Sequence, residues 1–288
     1  MRTRKINLVL FKPDTPRFKI LDCHLEVIAS LQWGFNALGY ECSFMTNAIN
    51  TGCRNIVFGW VPSIKRGYID EFPDDTILYN FEQYSTATMK GFPVLEMVAQ
   101  RFQIWDYSQG NVRRWNELNP KLPAYYAKVS FAPNLINLTP SEPEDIDILF
   151  VGSISPSRAE SLIACGSTFS RHALVTLSNV WGKQRNDFIA RAKLLINLSN
   201  GDPLFKIFEI VRVSYYLANR KAVVCELTPQ LEIEEDLKDV LRFVPSKELG
   251  AACDDLILNP EKRKAYADEC FEVFRRRDVR DVIRNFFD

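Results

Sequence analysis

The chain alternates between short apolar runs and longer stretches with helical periodicity. Runs such as residues 5–11 (KINLVLF) and 147–152 (DILFVG) are typical of strands covered on both faces of a parallel sheet. Between the first two apolar runs, positions 25, 28, 31, 35 and 38 form a helical stripe that ends at Gly39, a residue suited to a helix C-cap. Strands that alternate with helices in this way predict an α/β fold with mainly parallel sheets.

The same patterns divide the chain into two series of elements. In the first series we predict strands at residues 5–11, 41–46, 55–60, 75–80, 103–107 and 128–132, and helices at residues 21–38, 94–101 and 109–118. In the second series we predict strands at residues 147–152, 172–177, 193–197, 222–225 and 241–244, and helices at residues 157–165, 184–192, from 205 onward, 247–258, 261–274 and 279–287. Residues 136–144 carry turn formers without periodicity and predict a linker. We therefore expect domains at residues 1–135 and 145–270 and a final helix at residues 271–288 that packs back on the body.

Composition and charge narrow the class of protein. Hydrophobic residues make up 47% of the chain and charged residues 25%, which is typical of soluble globular proteins. The 36 basic residues balance the 36 acidic ones, so a nucleic-acid partner is not expected. The N-terminal apolar run is too short for a signal peptide, and no run is long enough to span a membrane, which indicates a cytoplasmic protein. Seven cysteines without a CxxC pair, with only two histidines, indicate reduced thiols and argue against zinc.

The segment 205–226, FKIFEIVRVSYYLANRKAVVCE, is the most informative of the chain. It predicts an amphipathic helix, a tight turn and a short buried strand, with Lys206 and Glu209 in the first helical turn. A helix N-terminus offers free N–H groups and a positive dipole end to an anion. This arrangement resembles the donor site of glycosyltransferases with the two-domain GT-B fold, in which an acid-bearing helix, a turn and a strand hold a nucleotide-sugar.

Two further segments support the resemblance. The loop after the strand at residues 147–152 begins with Gly152 and Ser153 and contains Arg158, which we expect to pair with a diphosphate. Residues 179–200 are similar to the glycosyltransferase pattern of a Gly-Lys turn, a helix with a basic end and a strand ending in Asn; the matching positions are Gly182, Lys183, Arg191, Lys193 and Leu195 to Asn197. The resemblance implies that Lys183 or Arg185 faces the donor phosphates.

The resemblance is incomplete at two places. Many retaining members carry a second glutamate eight positions before the one matched by Glu209, where this chain has Gly201 followed by Asp202. A Gly-x-Pro turn common after the helix is replaced by Asn219-Arg220-Lys221. These departures leave open whether sugar transfer would retain or invert the anomeric configuration.

In the first half, four acidic or basic side chains follow predicted strands. Asp22 and His24 lie at the start of the first helix and are candidates for a catalytic base, since a histidine beside an acid suits deprotonation of an acceptor hydroxyl. The alternative is that Asp22 is a helix N-cap and His24 is partly exposed. Glu82 and Asp106 follow the fourth and fifth strands and are predicted to lie on the acceptor side.

Asp145 and Asp147 match the DxD metal-binding signature of another glycosyltransferase fold. They precede a strand instead of following it, so we reject a metal site there. We expect no metal cofactor, because cations and a helix dipole can neutralise a leaving diphosphate.

The resemblance implies transfer of a sugar from a nucleotide-diphosphate sugar to a hydroxyl of a glycan or lipid-linked acceptor, in bacterial surface-polysaccharide synthesis, in a cleft between the domains. Two alternatives stay open: a non-catalytic nucleotide-sugar-binding or scaffold protein of the same fold, and a transferase acting on modified DNA bases, which zero net charge disfavours. The Arg-rich tail packs on the body or lies peripherally on the inner face of an anionic membrane, and we favour packing.

Overall fold

The computed structural model describes the chain except for residues 1–3, 14, 15, 66, 86–88, 90, 140, 201–205 and 288, and gives only the backbone at residues 16–19 and 65. The chain divides into two compact units, one formed by Met1–Ala132 with Asp278–Asp288 and one by Pro133–Arg277. In the described part of the chain, no helix is both long and apolar enough to cross a membrane.

The first unit is a parallel sheet flanked by helices. Its described strands are β1 (Lys5–Leu10), β2 (Glu41–Thr46), β3 (Arg54–Phe58), β4 (Ile77–Asn80), β5 (Gln103–Asp106) and β6 (Tyr125–Tyr126), in the order β2-β1-β3-β4-β5-β6. Its described helices are α1 (Leu25–Ala37), α2 (Val61–Lys65), α3 (Pro93–Arg101), α4 (Gln109–Leu118) and the last helix of the chain, with 3-10 turns at Pro16–His24 and Tyr68–Glu71. The central strands β3 and β4 are almost wholly buried, as their apolar runs predict.

The second unit repeats the plan. Its described strands are β7 (Ile146–Val151), β8 (Leu174–Leu177), β9 (Ala192–Asn197), β10 (Ala222–Glu226) and β11 (Arg242–Val244), all parallel and in the order β11-β10-β9-β7-β8. Its described helices are α5 (Pro156–Ala164), α6 (Gly166–Phe169), α7 (Gly182–Arg191), α8 (Ile210–Ala218), α9 (Glu235–Lys238), α10 (Ser246–Ile257) and α11 (Pro260–Arg275), and Pro133–Leu135 form a 3-10 turn. The predicted α/β class with two Rossmann-like units is confirmed.

The last helix, α12 (Val279–Phe287), belongs to the first unit. It packs on α1 at Gly34, where an added Cβ would lie 2.8 Å from side-chain atoms of both Val279 and Ile283. The rings of Phe286 and Phe287 meet the edge of Trp105 at centroid distances of 5.0 and 6.0 Å. The absence of a side chain at position 34 thus lets the two helices approach closely, and the aromatic contacts fix the end of the tail.

Two predicted elements differ from the structure. Residues 128–132 form no strand of the sheet, Phe131 forms an isolated bridge with Asp278, and the sheet ends instead at β6. The helix predicted from residue 205 begins at Ile210. Its expected first turn is extended because the backbone of Phe208 donates to the carbonyl of Glu232 at 3.0 Å and Ile207 bridges the same residue. Residue 205 itself lies outside the described residues, as do Gly201 and Asp202.

Candidate functional site

Both sheets change winding direction next to their first strand. In the second unit, β7 lies between β8 and β9, so the connections after β7 and after β9 leave on opposite faces of the sheet. Ligands of open parallel sheets bind in the crevice outside the carboxyl ends of the strands at such a switch point. The residues that follow β7 and β9 are therefore where a ligand of this unit is expected.

Arg158 joins the two loops of this switch point. Its Nε donates to the carbonyl of Leu198 at 3.1 Å, after β9, and its Nη1 donates to the carbonyl of Ser153 at 2.9 Å, after β7. Its Nη2 donates to Oε1 of Glu209 at 2.7 Å. Since the side chain is only 6% exposed, Arg158 is committed to these protein partners. These contacts fix the two loops, and direct pairing of Arg158 with a diphosphate stays a prediction.

Glu209 is held between two guanidinium groups. Oε1 accepts from Arg158, and Oε2 forms an ion pair with Arg212 on the first turn of α8. Arg212 also donates to the carbonyl of Val151, the last residue of β7, at 2.8 Å. Glu209 occupies the N-cap position of α8 instead of its first turn, and its side chain remains 24% exposed. Its Oε2 is buried, so a ligand hydroxyl that reaches this carboxylate would donate its hydrogen bond to Oε1.

Gly152 allows this cluster to close over the end of β7. A Cβ at this position would lie 2.5 Å from Nη1 of Arg212 and 3.0 Å from the ring of Phe150. The guanidinium groups of Arg158 and Arg212 both lie over that ring, at 5.6 and 5.5 Å from its centroid. A larger residue at position 152 would therefore displace a side chain that binds Glu209. Ser153, next in the chain, is exposed.

The three other predicted donor-side cations differ in accessibility. Lys183 is exposed at the start of α7, as a phosphate-facing role requires. Arg185 is buried and lies over the ring of Tyr215 at 4.8 Å, with Nη2 donating to Asn186 at 2.8 Å, so it packs α7 on α8. Lys206 donates to the side chain of Gln230. Of these three, Lys183 is exposed, Lys206 is half-buried and bonded to Gln230, and Arg185 is a packing residue.

Glu226 was missed by the sequence reasoning. It ends β10 and is buried, and its Oε1 accepts from the hydroxyls of Ser161 at 2.5 Å and of Ser246. Its Oε2 accepts from the backbone N–H of Ser199 at 2.9 Å, in the loop after β9. Its position directly after the apolar run 222–225 is the one signal that the sequence offers, and the three serines are 20 to 65 residues away in sequence.

A buried acceptor lies beside these residues. The amide oxygen of Asn197, the last residue of β9, is buried without a hydrogen-bond partner among the described residues. Leaving such a group unpaired costs about 1–3 kcal/mol, so a ligand or water that donates to it would be stabilised there. The switch point thus combines a carboxylate fixed by two guanidinium groups with a buried acceptor that has no partner among the described residues.

In the first unit, Asp22 and His24 do not form a dyad. Asp22 accepts from Nζ of Lys12 at 2.6 Å, and no hydrogen bond joins it to His24. His24 is the N-cap residue of α1 but makes no side-chain cap bond, so the alternative of an Asp22 cap is wrong. Its ring is 5% exposed, with the ring of Phe81 at 4.9 Å. Burial lowers the pKa of His24 to about 4, although Asp22 acts in the opposite direction.

This environment keeps His24 neutral at neutral pH. A neutral imidazole can accept a proton, but the lowered pKa makes it a weak base. Its Nδ1 is buried and has no hydrogen-bond partner in the described part of the chain. His24 is at the carboxyl edge of the sheet as predicted, since it contacts Phe58, the last residue of β3, at a ring distance of 6.4 Å.

Asp106 is fully buried and does not face an acceptor, contrary to the expectation. Its carboxylate accepts four hydrogen bonds: from the backbone N–H of Ser108 (2.9 Å) and from the side chains of Asn80 (2.7 Å), Asn111 (3.2 Å) and Trp115 (3.0 Å). Burial raises the pKa of Asp106 to about 7 and outweighs these hydrogen bonds, which lower it. The residue therefore organises the carboxyl ends of β4 and β5.

The same hydrogen-bond network holds the backbone of Glu82. The side-chain amides of Asn80 and Asn111 both donate to its backbone carbonyl, at 2.9 and 2.8 Å. Its own side chain is exposed at the carboxyl edge, where it was predicted. Of the two predicted acceptor-side residues, only Glu82 is exposed, and partial burial raises the pKa of its carboxyl group.

The acids of the DxD sequence lie at the opposite end of the sheet from the site. Asp145 forms a two-bond pair with Arg191 at 2.7 and 2.6 Å, and Asp147 accepts from Lys193 at 2.7 Å. Both carboxylates are therefore engaged at the start of β7. In the described part of the chain, no cluster of three or more His, Cys, Asp or Glu residues could hold a metal ion.

Solved structures share this architecture. HepE of Anabaena, crystallised with UDP and glucose, superposes with a TM-score of 0.62 at 12% identity, covering 97% of this chain and 98% of that chain. AviGT4, a glycosyltransferase involved in avilamycin A biosynthesis, gives 0.57 at 14% identity, covering 98% and 95%. WaaG, a glycosyltransferase involved in lipopolysaccharide biosynthesis, gives 0.56 at 7% identity, covering 97% and 98%. The chain therefore has the GT-B fold of glycosyltransferases, as the sequence resemblance implied.

Sequence comparisons give less information about this chain than the structure comparisons do. No family model matches the chain. The uncharacterized protein L140 of Acanthamoeba polyphaga mimivirus is 28% identical over 180 residues, which cover 59% of this chain and 55% of the relative. The chain thus spans about half the length of this curated relative.

Proposed function

We propose that the protein is a glycosyltransferase that moves a sugar from a nucleotide-diphosphate sugar to a hydroxyl of a glycan or lipid-linked acceptor in surface-polysaccharide synthesis. The observation that carries the proposal is Glu209, a partly exposed carboxylate held by Arg158 and Arg212 at the switch point of the second unit. Solved proteins of the same fold support it, since HepE has been crystallised with UDP-glucose.

The charges of the cluster suit a nucleotide donor. Arg158, Arg212 and Glu209 together carry a net charge of about +1, which attracts a diphosphate. The negative charge of Glu209 repels the diphosphate little, because it is paired with the two guanidinium groups. Lys183, which is exposed, and Lys206, which donates to Gln230, add two positive charges to this unit. Glu209 would accept hydrogen bonds from sugar hydroxyls, because its carboxylate oxygens are oriented by the two guanidinium groups.

In the reaction, the bond between the anomeric carbon and the diphosphate oxygen breaks while a bond from that carbon to the acceptor oxygen forms. Negative charge grows on the leaving diphosphate, so the fixed cations and the N-terminus of α8 stabilise the transition state more than the bound donor. No metal ion is invoked for this step. The acceptor hydroxyl must lose its proton, and neutral His24 or the exposed Glu82 in the first unit is the candidate to receive it.

The non-catalytic alternative has one observation in its favour. His24 is buried, its pKa is lowered to about 4, and no hydrogen bond connects it to Asp22. A protein that binds a nucleotide-sugar without transferring it needs no catalytic base, so the weak basicity of His24 is compatible with this alternative. Measurable turnover of a donor in the presence of acceptor glycans would exclude this alternative.

The proposed function is tested by a thermal-shift screen with UDP, GDP, CMP, dTDP and their sugar conjugates. A ligand at 100 times its dissociation constant adds about 2.7 kcal/mol to the stability of a protein that binds it only when folded. We expect one nucleotide diphosphate to shift the midpoint, and Glu209→Ala to abolish that shift. The matched control is Glu235→Ala, which removes an exposed carboxylate of the same unit. No shift with any nucleotide would overturn the proposal.

A further inference from the structure

Asp106 is the centre of a buried hydrogen-bond cluster at the carboxyl ends of β4 and β5. Its Oδ1 accepts from the backbone N–H of Ser108 at 2.9 Å and from Nδ2 of Asn111 at 3.2 Å. Its Oδ2 accepts from Nδ2 of Asn80 at 2.7 Å and from Nε1 of Trp115 at 3.0 Å. Each carboxylate oxygen thus accepts two bonds, and all four partners are donors, so the cluster is complementary to the ionised acid.

Two of these donors are shared with the segment that carries Glu82. Nδ2 of Asn80 and Nδ2 of Asn111 also donate to the carbonyl of Glu82, at 2.9 and 2.8 Å. The amide oxygen of Asn80 accepts from the N–H of Glu82 at 3.2 Å. The amide oxygen of Asn111 accepts from the N–H of Tyr84 at 3.3 Å. Asp106 therefore acts on the backbone of residues 82–84 through the two asparagine side chains.

The orientation of the Asn111 amide depends on the charge of Asp106. A carboxylate and a backbone carbonyl accept, so the amide nitrogen faces Asp106 and Glu82, while the amide oxygen faces the N–H of Tyr84. A protonated Asp106 carries an O–H that needs an acceptor, and none of its four partners presents one. The bond from Asn111 is the longest of the four, so it is the one expected to break. Turning this amide over brings its oxygen to the new O–H and its nitrogen against the N–H of Tyr84.

Burial brings proton uptake by Asp106 close to neutral pH. It raises the pKa of Asp106 to about 7 and outweighs the four hydrogen bonds, which lower it. The other titratable or charged groups that face the cluster, among the described residues, are Glu82 and Tyr84 after β4, Arg114 on α4 and Tyr126, the register partner on β6. Burial raises the pKa of Glu82, and burial followed by the carboxylates of Glu82 and Asp106 raises the pKa of Tyr84. The phenol of Tyr84 therefore stays neutral in this range, and its backbone N–H is the group that responds.

We propose that Asp106 is a positioning residue for Glu82 that acts through Asn111 and releases the segment 82–84 when it takes up a proton from solvent. In the ionised state, the Asn111 amide holds the carbonyl of Glu82 and the N–H of Tyr84. In the protonated state, that amide turns over to accept the new O–H, and both of these bonds are lost. The two bonds between Asn80 and Glu82 remain. The inference deepens the proposed function, on which it rests, because Glu82 is a candidate there to receive the proton of the acceptor hydroxyl.

The test is proton–nitrogen correlation NMR of the full chain without ligand, from pH 5.5 to pH 8.5. The indole N–H of Trp115 reports directly on the charge of Asp106, and Trp115→Phe assigns its signal among the five tryptophans. Hydrogen exchange of the backbone N–H of Tyr84, corrected for the intrinsic pH dependence of exchange, reports on the release. We expect its protection to fall about tenfold from pH 8 to pH 6, with the same midpoint as the Trp115 signal. The N–H of Glu82 should change less, because Asn80 still accepts from it.

Four variants separate the steps. Asn111→Ala should keep the titration of the Trp115 signal and leave Tyr84 unprotected at every pH. Asp106→Asn should abolish the titration, and the unsubstituted protein still gives the main comparison should this variant not fold. The matched controls are Asp75→Asn, which removes an exposed acid of the same unit, and His172→Gln, which removes the histidine of the second unit. Both controls should keep the shared midpoint and the change in protection.

The outcomes separate this inference from the proposed function. Constant protection of Tyr84 while the Trp115 signal titrates, or a Trp115 signal that does not titrate between pH 5.5 and pH 8.5, overturns the inference. If UDP still produces its thermal shift in that case, the proposed function stands. Conversely, coupled titration without any nucleotide shift supports the control of the segment 82–84 by Asp106 and overturns the transferase proposal.

A turnover assay tests the positioning role itself. At pH 8, Asn111→Ala should lower kcat about tenfold and leave KM for the nucleotide-sugar unchanged, because the substitution displaces Glu82 and not the donor site. An unchanged kcat in Asn111→Ala at this pH would also overturn the inference.

Discussion

The buried histidine of the first unit gives a quantitative prediction. His24 is 5% exposed, its Nδ1 has no partner among the described residues, and its pKa is lowered from 6.5 to about 4 by burial. Replacing it by leucine removes the titrating group and keeps an apolar side chain against Phe58 and Phe81. We therefore expect His24→Leu to resist mild acid better than the unsubstituted protein.

The magnitude follows from proton linkage. Between about pH 4 and pH 6.5 the unfolded chain binds a proton at His24 and the folded protein does not, so stability is lost as the pH falls through this window. At 1.36 kcal/mol for each pKa unit, the loss from pH 7.5 to pH 4 is about 3 kcal/mol. The free-energy difference between His24→Leu and the unsubstituted protein should change by that amount.

The effect must be measured as a difference, because Asp106 titrates in the opposite sense. Its pKa is raised from 3.8 to about 7, so the folded protein binds the extra proton and stability falls as the pH rises through that window. Asp106 is present in both proteins, and its contribution cancels in the comparison. Urea unfolding at pH 7.5, 6, 5 and 4 gives the required free energies.

A direct check is the proton NMR titration of the histidine ring. The chain has two histidines, so the signal that disappears in His24→Leu is assigned at once. We expect that signal to show no titration above about pH 5. A midpoint near 6.5, or a stability difference that stays constant from pH 7.5 to pH 4, would refute the argument from burial.

Three further predictions concern the buried contacts. Asp106→Asn should lower the free energy of unfolding by about 3 kcal/mol, since an amide can accept only about half of the four hydrogen bonds, whereas the exposed Asp75→Asn should be neutral in the same urea experiment. Glu226→Gln should lower the free energy of unfolding by about 1–2 kcal/mol, because the new amide N–H group would face a group that itself donates a hydrogen bond. An unchanged midpoint of urea unfolding would contradict this. Gly152→Ala should weaken nucleotide binding about tenfold by displacing Arg212, and equal affinity in calorimetry would show that the close approach is unimportant.

Much of the fold could be predicted from local patterns. The bounds of β2, α4 and α12 agree with the predictions to the residue, and Gly39 follows α1 with a φ of 80°, as its role at the end of the helix requires. Each of these segments has a clear period and a clear stop signal. The helix after residue 205 was placed too early because pairing with Glu232, distant in sequence, overrides its helical pattern.

The sequence predicted where the candidate site residues lie better than it predicted what each of them contacts. The carboxyl ends of strands identified Gly152, Ser153, His24 and Glu82 as edge residues, since this depends only on element order, and the start of a helix identified Glu209. Burial and partners could not be predicted, because they depend on contacts across tens of residues. Thus Arg158 turned out to bind Glu209, 51 residues away, and Asp106 turned out to be an internal acceptor.

The measurement that tests the central claim most directly is isothermal titration calorimetry of the nucleotide diphosphate chosen by the thermal-shift screen. We predict one site per chain in the unsubstituted protein and in Glu235→Gln. Glu209→Gln should bind at least tenfold more weakly, equivalent to about 1.4 kcal/mol. Equal affinity of Glu209→Gln and the unsubstituted protein would contradict a donor site built around Glu209 at the switch point of the second unit.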